Sequence, residues 1–468
     1  MYKILICLLA YSQLSFATKV DLSQMNMTEV AEQALQAALN DQVKSTSDKY
    51  YIPGEWTTQI VSSPIPYIAG VGKMFGKDEE ASAFTTASVI NILAQTYLDY
   101  PRYRDSSVIQ KIPAAIRRGV ETFDRYKDGA TYNFYPALVA KKGVVVRRPI
   151  GLRMLPIWHG FTNVPNDADT SSVTFSALLL NAKVNNEAYS VPEEAFSEFI
   201  KYRDIDRKSQ YYNKREGQIH TGAFLTWLYD EKNPNMPRFY LAPSESGERI
   251  PFNRNDVDCV VNTNVMKLRA LAKRSELPGY KDTCQMITEI IAKDKHDRCG
   301  IYYPNTMNLS FVLALSEKAG DRCLQDNSRN KIVEKILGMQ REDGSWLNDN
   351  NIHPDPVITT AFAMYSLQHF ANINDPQIAT ALVYGTKYLL SKTLMKNDQM
   401  YWQADNFFTA TAFIRSLMMW KSKAYTNAIV GSVLLKMSVT NPQMTPEDYL
   451  SVEIDSSKLK PLEFINDK

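Results

Sequence analysis

Six stretches of this chain share one pattern, and that repetition restricts the fold more than any other feature. Each begins with a polar or acidic residue, continues through small or β-branched side chains, and runs into an apolar helical pattern. The stretches start at Glu79, Asp167, Asp256, Asn308, Asp355 and Asp405. The last four lie about 50 residues apart, and insertions widen the first two intervals. A more charged helical pattern follows each stretch, over 109–126, 192–202, 280–293, 331–340, 378–390 and 425–437. Its apolar residues recur at three and four, as in Ile332, Ile336 and Met339. A helix apolar on every side must be covered on every side, whereas an amphipathic one faces water. Six such pairs predict an all-α fold, an α6/α6 toroid with the apolar helices inside. An open solenoid could use the same units but would leave its end units to be capped. One more helix is expected over 27–44, with Asn26 as its cap.

Two stretches break the pattern. Residues 135–165 contain the extended-looking run Val144-Val145-Val146-Arg147-Arg148, and 204–255 are polar and aromatic with four prolines. They are expected as rim insertions. The organisation read from the chain is an N-terminal helix and linker over 18–77, a toroid over 78–440 and a tail over 441–468.

Composition narrows the class. With 44% apolar residues the chain is not disordered, and 53 basic against 51 acidic residues leave no electrostatic footprint for nucleic acid. The N-terminus has Lys3, an apolar run from Ile4 to Tyr11, and Ser15-Phe16-Ala17. This arrangement predicts a secretory signal peptide over 1–17, cleaved after Ala17, with no transmembrane segment in the mature chain. The expected location is secreted or periplasmic. Cys7 would leave with the signal, and Cys259, Cys284, Cys299 and Cys323 remain for two disulfides. Spacing alone leaves three pairings open. The ring order favours Cys259–Cys299 and Cys284–Cys323, because the first two precede inner helices and the second two flank outer ones.

The run Gln340-Arg341-Glu342-Asp343-Gly344-Ser345-Trp346 fits a Gln-x-x-x-Gly-x-Trp motif. In this it resembles the terpene cyclase and protein prenyltransferase superfamily, whose fold is an α/α toroid. The resemblance implies that Gln340 and Trp346 join an outer helix to the next inner one across a glycine turn. Degenerate copies stand at Gly129 with Tyr132, Gly300 with Tyr302, and Asp398 with Trp402. Asp167-Ala168-Asp169-Thr170 and Asp256-Val257-Asp258-Cys259 each match three places of the Asp-x-Asp-Asp motif of class II cyclases such as squalene–hopene cyclases. There the middle Asp protonates an alkene or epoxide, so the resemblance makes Asp169 or Asp258 the acid. That chemistry needs a carboxyl kept neutral in an apolar cavity. Capping of the following helix is the simpler role for both pairs. Asp258, Cys259 and His353 are residue types that bind zinc in the prenyltransferases, but the Asp-x-Cys spacing is absent. No metal and no cofactor is expected.

In a ring, all inner-helix N-termini share one mouth. Asp167, Asp169, Asp256, Asp258, Asp355 and Asp405 are therefore expected around one rim, with Asn262, Asn264, Trp158, His159, Trp346 and Trp402 close by. Such a cleft suits a small molecule, a lipid or a glycan. The expected function is an exported toroid with a ligand cleft and a binding or scaffold role in the cell envelope. Two alternatives are enzymatic. One is an isoprenoid cyclase using an Asp acid. The other is a polysaccharide lyase or hydrolase, for which His159, His220, Tyr212 and Arg215 supply bases and charge.

Overall fold

The structure is a computed structural model. It describes residues 18–45, 50–62, 77–140, 143–153, 155, 162–207, 213, 217, 220–229, 249, 255–274, 276–296, 299–303, 305–347, 356–409 and 418–455. The proposed signal segment and residues Trp158, His159, Tyr212, Arg215, His353 and Asp355 lie outside them.

Six helices are buried nearly end to end: α2 (Ala83–Asp99), α4 (Ala168–Asn185), α6 (Cys259–Leu271), α8 (Asn308–Lys318), α10 (Pro356–Phe370) and α12 (Lys423–Thr440). Each packs on the next, and α12 packs back on α2, so the ring is closed. Six shorter-faced helices alternate with them in the chain: α1 (Met27–Asn40), α3 (Ile112–Val120), α5 (Glu193–Lys201), α7 (Tyr280–Ala292), α9 (Asp326–Gly338) and α11 (Pro376–Ser391). The fold is an all-α toroid of six inner and six outer helices.

The last pair differs from the sequence reading. Residues 405–409 do not open an inner helix. Asp405–Thr409 is strand β10, and it pairs antiparallel with β11 (Met418–Ser422). The inner helix is the stretch expected as outer, 425–437, which lies inside α12. Its outer partner is α1, packed along it through Ala31, Leu35 and Gly431. The N-terminal helix is thus an outer member of the ring. Periodicity misled here because α12 carries Lys423 and Lys436 near its ends, which gave it a charged look although most of its length is buried. Asn26 caps α1 with a reciprocal bond to Glu29, as expected.

Small sheets decorate the ring. Strands β2 (Gln59–Ser62) and β3 (Lys77–Glu79) extend the β10–β11 hairpin into four strands. Strands β6 (Ala137–Val139) and β7 (Val145–Arg147) form a separate hairpin within the first insertion.

The linkers between helices are held by one repeated device. Gln340 donates to the carbonyls of Gly344 and Ala381, and Trp346 donates its indole N–H to Ile336 and its backbone N–H to Thr360 Oγ1. Gln42 does the same with Gly54 and Ala115, and Trp56 with Ala38 and Thr86 Oγ1. Gly344 and Gly54 both have positive φ, and a Cβ on either would strike the carbonyl of the next outer helix, at Tyr384 or Arg118. Residues 42–56 therefore form a second copy of the clamp that the sequence hides behind a longer loop. Trp402 repeats part of it, with its indole on Leu389 and its backbone paired with Asn427.

The four cysteines meet in the expected pairs, Cys259 with Cys299 (Cα–Cα 5.6 Å) and Cys284 with Cys323 (5.4 Å). The first pair is buried at the mouth formed by inner-helix N-termini.

Candidate functional site at the mouth of the ring

Three neighbouring inner helices begin with buried side-chain caps. Ser82 accepts from Thr85 N–H, Asp167 from Thr170 N–H at 2.5 Å, and Asp258 from Val260 and Val261 N–H. The caps leave the first turns facing a small, partly open hollow. Its walls come from α2 (Phe84), the insertion (Phe134, Tyr135, Val164), α4 (Asp167, Asp169, Thr170), the second insertion (Thr226, Trp227), α6 (Val261), the turn before α8 (Tyr302) and β10 (Phe408). The N-termini of these helices do share one mouth.

Aromatic rings dominate the lining. Phe408 lies 5.7 Å from Phe84, 5.5 Å from Phe134 and 6.2 Å from Tyr302, ring centre to ring centre. Trp227 meets Tyr302 edge-on and donates its indole N–H to the Tyr302 hydroxyl. These rings pair in the stacked and edge-on arrangements favoured by aromatic quadrupoles.

Asp169 stands in this apolar wall. It is the second residue of α4 and fully buried. Its Oδ1 accepts from Asn264 Nδ2 at 2.7 Å, and its Oδ2 accepts from the Tyr303 hydroxyl. Burial, then the neighbouring Asp167 carboxylate, pushes its pKa up to about 8, against the pull of Tyr303 and Asn264. Burial also raises Asp167, to about 7, opposed by Thr170. A carboxyl that stays protonated at neutral pH has a proton to give, and two donors on its oxygens stabilise the anion left behind. The same surroundings push the Tyr303 hydroxyl well above its ordinary range, so it remains a donor.

Asp258 has a different environment. Its Oδ1 caps α6, while its Oδ2 accepts from Ile301 N–H at 2.5 Å and Tyr302 N–H at 3.1 Å. Burial raises its pKa and these four N–H groups lower it. Asp258 does not line the hollow. It fixes the turn that presents Tyr302 and Tyr303, helped by the adjoining Cys259–Cys299 link.

Among the described residues, Asn264 is the one expected binding residue that reaches the acid. Asn262 instead clamps the backbone of Phe224 from both sides. Trp346 and Trp402 are fully buried under the outer helices, away from the lining. Asp256 is buried beside the same mouth, with its backbone carbonyl taken by Thr226 N–H. Asp405 reaches from β10 to accept from Ile358 N–H, so it caps α10 from a strand. His220 sits in a turn at positive φ and does not line the hollow.

Nothing in the pattern along the chain marks Phe84, Phe134, Tyr135, Trp227 and Phe408 as lining residues, because they lie on four separate segments that only the ring brings together. Nor does the pattern mark Tyr303 as the hydrogen-bond partner of Asp169.

Comparison with solved structures decides the fold family. The type II terpene cyclase MstE from Scytonema, without ligand, superposes with a TM-score of 0.51 at 13% identity, covering 88% of this chain and 99% of that one. The fold is terpene cyclase-like. A variant of the same enzyme in complex with geranylgeranyl dihydroxybenzoate, its substrate, gives a TM-score of 0.53 at 13% identity, over 88% of this chain and 98% of that one. A variant holding the product merosterolic acid A gives 0.52 at 12% identity, with the same coverage. At such identity the likeness is one of fold. No protein-family profile matches the sequence, and no curated protein sequence does.

Proposed function

We propose that the hollow binds an isoprenoid or similarly apolar, alkene-bearing molecule and that Asp169 is its general acid. The observation that carries this reading is the Asp169 carboxyl, buried in an aromatic wall, raised to about 8, and held by Tyr303 and Asn264. The acid gives its proton to one alkene carbon, forming a C–H bond and leaving a cation on the other. The faces of the surrounding rings attract that cation. Ring closure by a second alkene and loss of a proton then give an isomer of the substrate, and Asp169 recovers its proton from solvent. The preponderance of rings among the lining residues supports an apolar ligand over the glycan alternative.

Ligand binding at this mouth is common to the enzymatic and the binding readings, and the neutral acid favours the enzyme. Export through the signal segment and a place in the cell envelope belong to the same proposal. Two cysteine pairs at bonding distance support an oxidising compartment.

The test incubates the full chain with geranylgeranyl dihydroxybenzoate and with shorter prenyl arenes, and follows both binding and products of unchanged mass. The reading expects a cyclised isomer from the wild type and bound but unconverted ligand with Asp169→Asn. Absence of binding to every prenyl probe, or turnover undiminished in Asp169→Asn, would overturn it.

A further inference from the structure

The aromatic hollow has one polar corner that the acid does not use. Among the described residues, Thr226 is the one lining residue whose side-chain oxygen is buried without a hydrogen-bond partner. It lies on the second insertion and is 3% exposed. Its backbone is bonded on both sides. The N–H donates to the Asp256 carbonyl and the carbonyl accepts from Ala168 N–H, each at 2.8 Å. The next residue, Trp227, is held by Asn255, which accepts from its N–H and donates to its carbonyl. A hydroxyl carried on a segment tied down in this way has a fixed place in the wall and nothing in the chain to bond.

Such a group is costly, because a buried hydroxyl ordinarily has a partner. Elsewhere in the lining the polar groups answer one another. Asp167 accepts from Thr170 N–H, Asp169 accepts from Asn264 and Tyr303, and the Tyr302 hydroxyl accepts from the Trp227 indole. Thr226 alone is left for a partner from outside the chain. The charge nearby decides what kind. Asp167 bridges Trp227 through the backbone and also lines the hollow. The described lining holds two carboxyls and no basic side chain. A phosphate or carboxylate in this corner would meet like charge with no cation to offset it. A neutral hydroxyl can both donate to the Thr226 oxygen and accept from it.

We propose that Thr226 selects the polar end of the ligand by pairing its hydroxyl with a neutral hydroxyl on an isoprenoid chain, so that the hollow takes a prenyl alcohol in preference to a prenyl phosphate or a bare hydrocarbon. The proposal rests on the reading of the hollow as a prenyl site, and it gives Thr226 no part in proton transfer. The chain of such an alcohol packs on the rings of Phe84, Phe134 and Phe408, with its oxygen against the second insertion.

The test uses saturated isoprenoids, which offer no alkene to an acid and so bind without conversion: hexahydrofarnesol, its phosphate ester and the hydrocarbon farnesane. Their affinities for the full chain are read by displacement of a saturated, dansyl-labelled isoprenoid, in the wild type, Thr226→Val and Thr226→Ser. The preference for alcohol over hydrocarbon is expected to be about fivefold larger in the wild type than in Thr226→Val, the worth of one hydrogen bond. Partition of the ligands out of water is common to both proteins and cancels in that ratio. Thr226→Ser should keep the preference. Without ligand, Thr226→Val should be no less stable to denaturant than the wild type, because the hydroxyl it removes has no partner to lose. A preference unchanged by Thr226→Val would overturn the inference and leave the prenyl site standing, and so would a phosphate bound more tightly than the alcohol. A marked loss of stability in Thr226→Val would overturn it as well, by showing that the hydroxyl is already bonded within the protein. If neither the labelled chain nor any of the three ligands is bound, the prenyl reading falls together with the inference.

Discussion

The starts of α4 and α6 carry the same Asp-x-Asp spacing at the same end of adjacent inner helices, yet their acids do different work. At α4 the first acid, Asp167, is the cap, and Asp169 falls inside the first turn, where it faces the hollow. At α6 the second acid, Asp258, is the cap, and Asp256 is left before the helix. The two motifs are out of register by two residues. Neighbouring chain sets the difference. Thr226 of the second insertion runs between the two starts, accepting from Ala168 N–H and donating to the Asp256 carbonyl. The 301–302 turn takes the second oxygen of Asp258. A carboxyl that answers four backbone N–H groups is a structural anchor, whereas the one answered by two side chains in an aromatic wall is the one proposed as a general acid.

The largest effect that would sharpen this contrast is kinetic. Asp169→Asn should lower prenyl turnover by about 10²–10⁴-fold with little change in ligand binding, the usual yield of a general acid. Wild-type turnover should fall as pH rises past about 8, where Asp169 ionises. Next in size is a stability effect at the other motif. Asp258→Ala should cost about 3–5 kcal/mol in denaturant unfolding, combining the loss of a cap with buried N–H groups left unanswered. An Asp258→Ala variant as stable as wild type would break the contrast.

A comparable test applies to the two clamps. Gln42→Ala and Gln340→Ala should each destabilise by about 2 kcal/mol, since each removes two buried hydrogen bonds from equivalent places. Unequal costs would show that the longer loop before Gly54 changes the device. Asp167→Ala should cost only about 1 kcal/mol, the ordinary worth of a cap.

A last effect is a slope with pH rather than a single cost. Asp169 is raised on folding, so the unfolded chain gives up this proton near its ordinary value of 3.8 while the folded chain keeps it to about 8. Below that window both states are protonated and nothing changes. Within it the unfolded state binds fewer protons, so stability declines as pH rises. Asp169→Asn should flatten that decline between about pH 4 and pH 8 in unfolding titrations, relative to the wild type.

Much of the ring was legible along the chain. Five inner helices, five outer ones, the cap of α1 and both cysteine pairings follow from periodicity, Asp placement and the order of turns. The clamp at Gln340 and Trp346 was legible because its residues are close in sequence. Its counterpart at Gln42 and Trp56 was not, because eleven residues separate Gln42 from Gly54 and only the hydrogen bonds show the equivalence. The sixth inner helix was misplaced because residues 405–411 combine an Asp start with apolar followers, a pattern that a buried strand also satisfies.

What the sequence by itself determined is the set of local preferences: where helices start, which faces are apolar, which acids precede a helix. These are settled by residues within a turn or two of each other. What only the tertiary structure decided is which groups surround each of two like-spaced acids. Desolvation and hydrogen-bond donors act through those groups, and for Asp169 both arrive from far along the chain: from Asn264, Tyr303 and the rings of Phe84, Phe134 and Phe408. A pKa is a property of the space around a carboxyl, and closure of the ring makes that space.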